Sequence, residues 1–274
     1  MVKIKGVFIY SDHPSKALSI KNVIGYLTGC GLPVIDRGNF FESLDLNEDE
    51  LLKLARKVAG IIVPDMSNPL DEIQEPSYGE IDAELKRIKG SKSYLRVGAV
   101  HELPPLYDGL WLQRVLYGIM SQKIQNEFGS GFIHIIFTSR LFGTFETKRY
   151  HARVVLTGIP SLISTSGVVE APARPKEYYW LKAGLIQSGK DIRELDLMYK
   201  GKLVEYDDPR LSQVLRSYAL QPIFYEITGN PFCDDPSCCL YNSHWQEEVL
   251  KTQLEGKLCE EHEDVILKFG REKG

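Results

Sequence analysis

The chain has 274 residues, of which 43% are hydrophobic, and a formal net charge of −4 at pH 7. A chain of this length can bury a core without disulfide bonds, and its acidic balance does not fit a nucleic-acid partner, whose phosphates select basic surfaces. Its first residues do not resemble a secretory signal, and no apolar run approaches the roughly 18 residues that span a bilayer. We therefore expect a cytoplasmic protein that binds neither nucleic acid nor membrane.

Short apolar runs alternate with amphipathic segments along most of the chain. The predicted elements, in chain order, are a strand at 7–12, a helix at 15–29, a strand at 33–36, a helix at 46–60, a strand at 60–65, a helix at 77–90, a strand at 95–100, a helix at about 109–127, strands at 132–138 and 152–159, and a proline break followed by a helix within 172–187. Strands that alternate with helices in this way favour a parallel or mixed sheet covered on both faces. The sequence thus predicts an α/β fold with a mixed, mainly parallel sheet flanked by helices.

Four of the five cysteines lie close together near the C-terminus, at Cys233, Cys238, Cys239 and Cys259, and Cys259 begins a Cys-x-x-His pair with His262. Zinc binds four nitrogen or sulfur ligands in a tetrahedron, and a short spacing lets one turn present two of them. Clustered cysteines in an intracellular chain indicate a metal more often than a disulfide. We predict a zinc site of Cys233, Cys238, Cys259 and His262, although Cys239 could replace Cys238. Buried packing cysteines or a disulfide remain as alternatives.

The spacer between the two halves of this pattern carries helix signals. Ser243 and Gln246 form a Ser-x-x-Gln capping box, and Gly256 lies where a helix should end. Such a helix would return the chain so that Cys259 and His262 face the first cysteines. We therefore divide the chain into an α/β body at 1–228 and a C-terminal zinc-binding segment, or knuckle, at 229–274. The acidic residues that follow Cys259, namely Glu260, Glu261, Glu263 and Asp264, fit a solvated face or the surroundings of the zinc.

This C-terminal pattern resembles the archaemetzincins, a family of zinc-dependent peptidases with the fingerprint HExxHxxGxxHC, four residues, CxM, about seventeen residues and CxxC. Cys233 matches the cysteine that ends the long motif, and Cys238 the next one. Leu240 stands in place of the family's methionine, Cys259 matches the third cysteine, and His262 replaces the fourth. In the family the four cysteines hold a structural zinc. The resemblance therefore implies one structural zinc here, with a Cys-to-His exchange that zinc tolerates.

The catalytic half of the fingerprint is missing. The three positions of the zinc-binding histidines hold Pro222, Glu226 and Phe232, and the position of the general base holds Ile223. No two of the six histidines are four residues apart, so HExxH occurs nowhere in the chain. Gly229 matches the glycine that ends the active-site helix. Pro222 should also kink or interrupt this helix.

Three functions remain compatible with these patterns. The favoured one is a zinc-binding, archaemetzincin-like protein, with a metzincin-like half at about 125–228, that retains the structural zinc and has lost the catalytic one. It would bind a peptide or protein partner in the former catalytic cleft. The alternative is an active zinc-dependent peptidase or hydrolase with a non-standard active site. A third is an unrelated α/β protein with a zinc knuckle. The oligomeric state is left open.

Overall fold

The computed structural model describes residues 3–90 and 104–271. Within them the strands are β1 (Gly6–Asp12), β2 (Val34–Asn39), β3 (Leu106–Asp108), β4 (Phe132–Thr138), β5 (Leu141–Glu146), β6 (Arg149–Arg153), β7 (Val155–Leu156) and β8 (Ser161–Ser164). The α-helices are α1 (Ile20–Gly29), α2 (Phe40–Ser43), α3 (Glu48–Ala59), α4 (Tyr78–Ile88), α5 (Gly109–Lys123), α6 (Gly167–Glu170), α7 (Lys176–Gln187), α8 (Arg193–Tyr199), α9 (Leu211–Tyr218), α10 (Leu220–Thr228), α11 (Gln246–Lys251) and α12 (Glu260–Arg271). None of these helices is long and apolar enough to cross a membrane.

The strands form two sheets. The larger has the order β2-β1-β4-β8-β7, in which only the β7–β8 pair is antiparallel. The smaller has the order β3-β5-β6, with β3 and β5 parallel and β5 and β6 antiparallel. The predicted mixed, mainly parallel α/β architecture is therefore confirmed.

The inner strands β1, β4 and β8 of the larger sheet are buried on both faces, and side chains alternate between the faces of a strand. On β1, Val7 and Ile9 belong to a core cluster with residues of α1, α9, α10 and the knuckle, whereas Phe8 and Tyr10 belong to a second cluster with residues of α2, α3, α4 and α5. Buried residues of the knuckle, including Cys238 and Leu240, belong to the same core cluster as α9 and α10. The knuckle thus packs directly on the body of the protein.

Several predicted elements need correction. The strand expected at 60–65 is absent apart from a single bridge between Ile62 and Tyr107, because Pro64 has no N–H to extend the ladder. The strand expected at 152–159 is divided: the chain leaves the smaller sheet at Arg153 and enters the larger one at Val155. Strands β3 and β5 were not predicted, and the strand expected at 95–100 lies outside the described residues.

Pro222 interrupts a helix as predicted. In a continuous helix, the residue at position 222 would donate its N–H to the carbonyl of Tyr218, four residues earlier. Proline has no N–H, so this hydrogen bond cannot form. Accordingly α9 ends at Tyr218, and α10 begins at Leu220. Gly229 then ends α10 with φ of 77°, a left-handed conformation that glycine adopts without strain.

A buried ion network lies where β1 and β4 end. Arg140 donates to Asp12, and its other terminal nitrogen, Nη2, donates to Oε2 of Glu84 at 2.8 Å. Thr138 donates its hydroxyl to Oδ2 of Asp12 at 2.8 Å, and the Tyr107 hydroxyl donates to Glu84. Burial lowers the pKa of Arg140 to about 9, which leaves its guanidinium charged at pH 7. This network joins β1, α4 and the start of β5, and nothing in the sequence pattern indicated it.

Candidate metal centre

The turn that follows α10 positions the first two cysteines. Cys233 donates its N–H to the Leu240 carbonyl at 3.1 Å, which closes the turn. The Cys238 N–H donates to the Asp235 carbonyl at 3.0 Å, and the Asp235 N–H donates to Sγ of Cys233 at 3.4 Å. Main-chain N–H groups therefore shape this loop, and one of them contacts the Cys233 sulfur.

The start of α12 positions the other two residues. Glu263 donates its N–H to the Cys259 carbonyl at 2.9 Å, so Cys259 lies at the N-cap and His262 in the first turn. Residues three apart share one face of a helix. The Cys239 N–H donates to the Lys257 carbonyl at 2.6 Å, which ties the first loop to the segment before α12.

The structure brings all four predicted residues together. Sγ of Cys233 and Sγ of Cys259 are 3.9 Å apart, and Sγ of Cys259 is 3.0 Å from Nδ1 of His262. Every donor atom of Cys233, Cys238, Cys259 and His262 lies within 4.8 Å of the others. Tetrahedral zinc with Zn–S bonds of about 2.3 Å would separate two sulfurs by about 3.8 Å. The donor set therefore fits zinc in chemistry and in spacing.

Cys238, and not Cys239, contributes its sulfur to this group. Both side chains are fully buried, but the Cys239 thiol forms a hydrogen bond with Cys238. Adjacent residues point in different directions, so only one of the pair can face Cys259 and His262. Cys30 also lies outside the group.

The surroundings of the sulfurs make proton release and metal binding interdependent. Burial raises the pKa of Cys233 to about 12, and the hydrogen bond with Cys239 together with burial raises the pKa of Cys238. Both thiols are therefore neutral at pH 7 without a metal, and a bound cation has to displace their protons. Main-chain N–H groups of Leu240 and Cys259 point at the Cys238 sulfur, and such donors favour the thiolate once it forms.

The positions of the missing catalytic residues lie on α10 and just beyond it. Pro222 and Ile223 are buried in the core, and a carboxylate oxygen of Glu226 accepts the Gly131 N–H at 2.8 Å. Phe232 is 38% exposed. Within residues 3–90 and 104–271, the Cys/His group is the only cluster of three or more potential metal ligands.

A cavity of about 640 Å³ opens beside the Cys/His group. Its lining consists of Thr228, Asn230, Phe232, Cys233, Asp234, Asp235, Cys259, Glu260, Glu261, His262 and Val265. Four of these residues are acidic and none is lysine or arginine. We call this cavity the acidic cleft. The pairs Asp234–Asp235 and Glu260–Glu261, which directly follow Cys233 and Cys259, are the sequence signal for it. The first pair was not predicted as part of a site.

The spacer departs from its prediction. Helix α11 begins at Gln246, and Ser243 bonds instead to the side chains of Thr252 and Gln253. The Gln246 side chain is buried and donates to the carbonyls of Val168 and Val169. The predicted capping box is therefore wrong, because tertiary packing uses Gln246 to attach the knuckle to α6.

Comparisons with known proteins show the family of this chain. A family model described as a probable metallopeptidase family (DUF6775) matches residues 3–269. A crystal structure of a zinc-dependent peptidase from Methanocorpusculum labreanum (strain Z) aligns over 96% of this chain and 99% of that chain, with 12% identity and a TM-score of 0.41. No curated protein matches the chain. Because the family model spans nearly the whole chain, this protein belongs to the probable metallopeptidase family DUF6775, and the predicted relation to metallopeptidases is confirmed.

Proposed function

We propose that this protein binds one zinc ion through Cys233, Cys238, Cys259 and His262, and that this zinc stabilises the fold without taking part in catalysis. The observation that carries the proposal is the convergence of four protein donors within 4.8 Å. A catalytic zinc keeps one coordination position open for water or substrate, whereas four protein ligands close the site. The bound zinc would supply a cross-link between the turn after α10 and the start of α12.

The contacts on α10 support a non-catalytic role. Two of the four former catalytic positions, Pro222 and Ile223, have side chains that cannot bind a metal and lie in the core. Glu226, the one carboxylate among them, already accepts the main-chain N–H of Gly131. One oxygen ligand does not make a zinc site, which needs at least three protein ligands.

We further propose that the acidic cleft takes the place of the former catalytic cleft as the binding surface for a partner. Phe232, which occupies the position of the third catalytic histidine, lines it together with four carboxylates. Three thiolates on one zinc would add negative charge beside them. This charge and the exposed aromatic ring favour a peptide segment that carries lysine or arginine.

Metal analysis tests the zinc proposal. The purified protein should contain one zinc per chain, and replacement by cobalt should give the strong thiolate-to-cobalt absorption of a three-sulfur site. Cys233→Ser and Cys259→Ser should lose the metal and lower the melting temperature, whereas Cys30→Ser, outside the group, should do neither. A protein without zinc whose Cys233→Ser variant melts normally would refute the proposal.

Peptidase assays separate this proposal from an active hydrolase. The zinc-loaded protein should leave a mixture of unstructured peptides intact, with or without added metal. A second tightly bound ion, together with cleavage that Glu226→Gln abolishes, would instead establish a non-standard active site.

Binding of labelled peptides tests the partner. A lysine-rich peptide should bind the zinc-loaded protein with an affinity that falls as salt is added, and a glutamate-rich peptide of equal length should not bind. The double variant Glu260→Gln, Glu261→Gln should weaken this binding, and the matched double variant Glu247→Gln, Glu255→Gln, outside the cleft, should not. If the lysine-rich peptide binds the original protein and both double variants equally, the acidic cleft is excluded as its binding site.

A further inference from the structure

We infer that the zinc site responds to peroxide: oxidation joins Cys233 and Cys259 in a disulfide and releases the zinc. The inference rests on the proposed zinc site and adds a regulatory property to it. It depends on which sulfurs are close together and which of them an oxidant can reach.

The two sulfurs are close and both are accessible. Sγ of Cys233 and Sγ of Cys259 are 3.9 Å apart, and both residues are partly exposed and line the acidic cleft. A disulfide has an S–S bond of about 2.05 Å, so the sulfurs need to approach by less than 2 Å. Cys233 lies in a loop and Cys259 at the N-cap that precedes α12, so neither side chain is enclosed within a regular element.

The other cysteines are poorly placed for this reaction. Cys238 and Cys239 are fully buried and do not line the cleft. They are also neighbours in sequence, and consecutive Cα atoms are about 3.8 Å apart, which is shorter than the usual span of a disulfide, about 4.4–6.8 Å. Oxidation should therefore select the Cys233–Cys259 pair.

The reaction balances with hydrogen peroxide as the oxidant. The thiolate of one exposed cysteine attacks a peroxide oxygen, an S–O bond forms, the O–O bond breaks, and hydroxide leaves. The thiolate of the other cysteine then attacks this sulfenic sulfur, an S–S bond forms, the S–O bond breaks, and a second hydroxide leaves. The two sulfurs lose two electrons, and the peroxide oxygens gain them. Zinc retains only Cys238 and His262, and it dissociates as the Cys238 sulfur takes up a proton.

The test uses the purified zinc-loaded protein and hydrogen peroxide. Zinc release, followed with a chromogenic chelator, should match the formation of one disulfide per zinc, which peptide mapping should assign to Cys233 and Cys259. A thiol reductant with added zinc should restore the bound metal. Zinc that stays bound while peroxide oxidises other residues, or a disulfide between Cys238 and Cys239, would overturn the inference and leave the proposed zinc site intact.

Two histidine variants localise the response, because histidine remains a zinc ligand but cannot form a disulfide. Cys259→His should keep zinc and release it at least roughly tenfold more slowly under peroxide. Cys238→His retains the reactive pair and should respond like the original protein, as should Cys30→Ser. Equal sensitivity of Cys259→His and the original protein would refute the inference. If neither histidine variant binds zinc, the mapped disulfide of the original protein decides, and a protein isolated without zinc would refute both the inference and the proposed function.

Discussion

Replacement of Arg140 by methionine should strongly destabilise the protein. The Arg140 side chain is 2% exposed, and its partners Asp12 and Glu84 are 3% and 5% exposed. Arg140→Met keeps an unbranched apolar stem but removes the guanidinium, which leaves two carboxylates buried without their shared cation. Breaking a buried ion pair by removing one partner costs about 3–5 kcal/mol. For a chain of this size we expect the melting temperature to fall by roughly 6–20 °C.

Denaturant unfolding and calorimetry would measure this loss. The matched control is Arg193→Met, which removes an arginine from an ion pair with Asp191 in which the Arg193 side chain is 78% exposed. Exposed pairs contribute at most about 1 kcal/mol, so this control should change stability little. Adding Glu84→Gln to Arg140→Met should recover part of the loss, because an amide needs no counter-charge. A loss for Arg140→Met as small as that for the control would refute the reasoning.

Three further predictions concern His134, two glycines and the affinity for zinc. Burial lowers the pKa of His134, so as the pH falls the imidazole is protonated in the unfolded state before it is protonated in the folded state. The free energy of unfolding should therefore decrease below about pH 6.5. In urea titrations at several pH values, His134→Gln should show a smaller decrease. At Gly131, φ is 88° and an added Cβ would lie 2.2 Å from the Lys3 carbonyl oxygen. Gly131→Ala should therefore lose at least about 1–3 kcal/mol of unfolding free energy. The control Gly25→Ala, at a position on α1 with open space around it, should gain about 0.5–1 kcal/mol. Zinc affinity, measured by competition with a chelator, should fall as the pH is lowered. The reason is that protons compete for the Cys233 and Cys238 sulfurs, whose pKa values are raised in the metal-free site. An affinity independent of pH would contradict the assignment of these thiols as ligands.

Local patterns predicted much of the fold. The strand at 132–138 was predicted with its observed bounds, because buried residues on both faces of a parallel strand give a continuous apolar run. Helix α3 is two residues shorter at its start than predicted, and it ends one residue earlier. The missed strands are β3 and β5, which are paired with each other across more than 30 residues of sequence.

The sequence by itself determined the spacing of Cys233, Cys238, Cys259 and His262, the interruption of the helix by Pro222 and its end at Gly229. Each of these depends on a residue's own chemistry and on near neighbours in the chain. Only the tertiary structure decided that Cys238 faces Cys259, that Glu226 caps the Gly131 amide, and that Arg140 lies between Asp12 and Glu84. These contacts join residues 21 to 128 positions apart. Packing of the sheet and helices fixes such contacts, and no short sequence pattern encodes them.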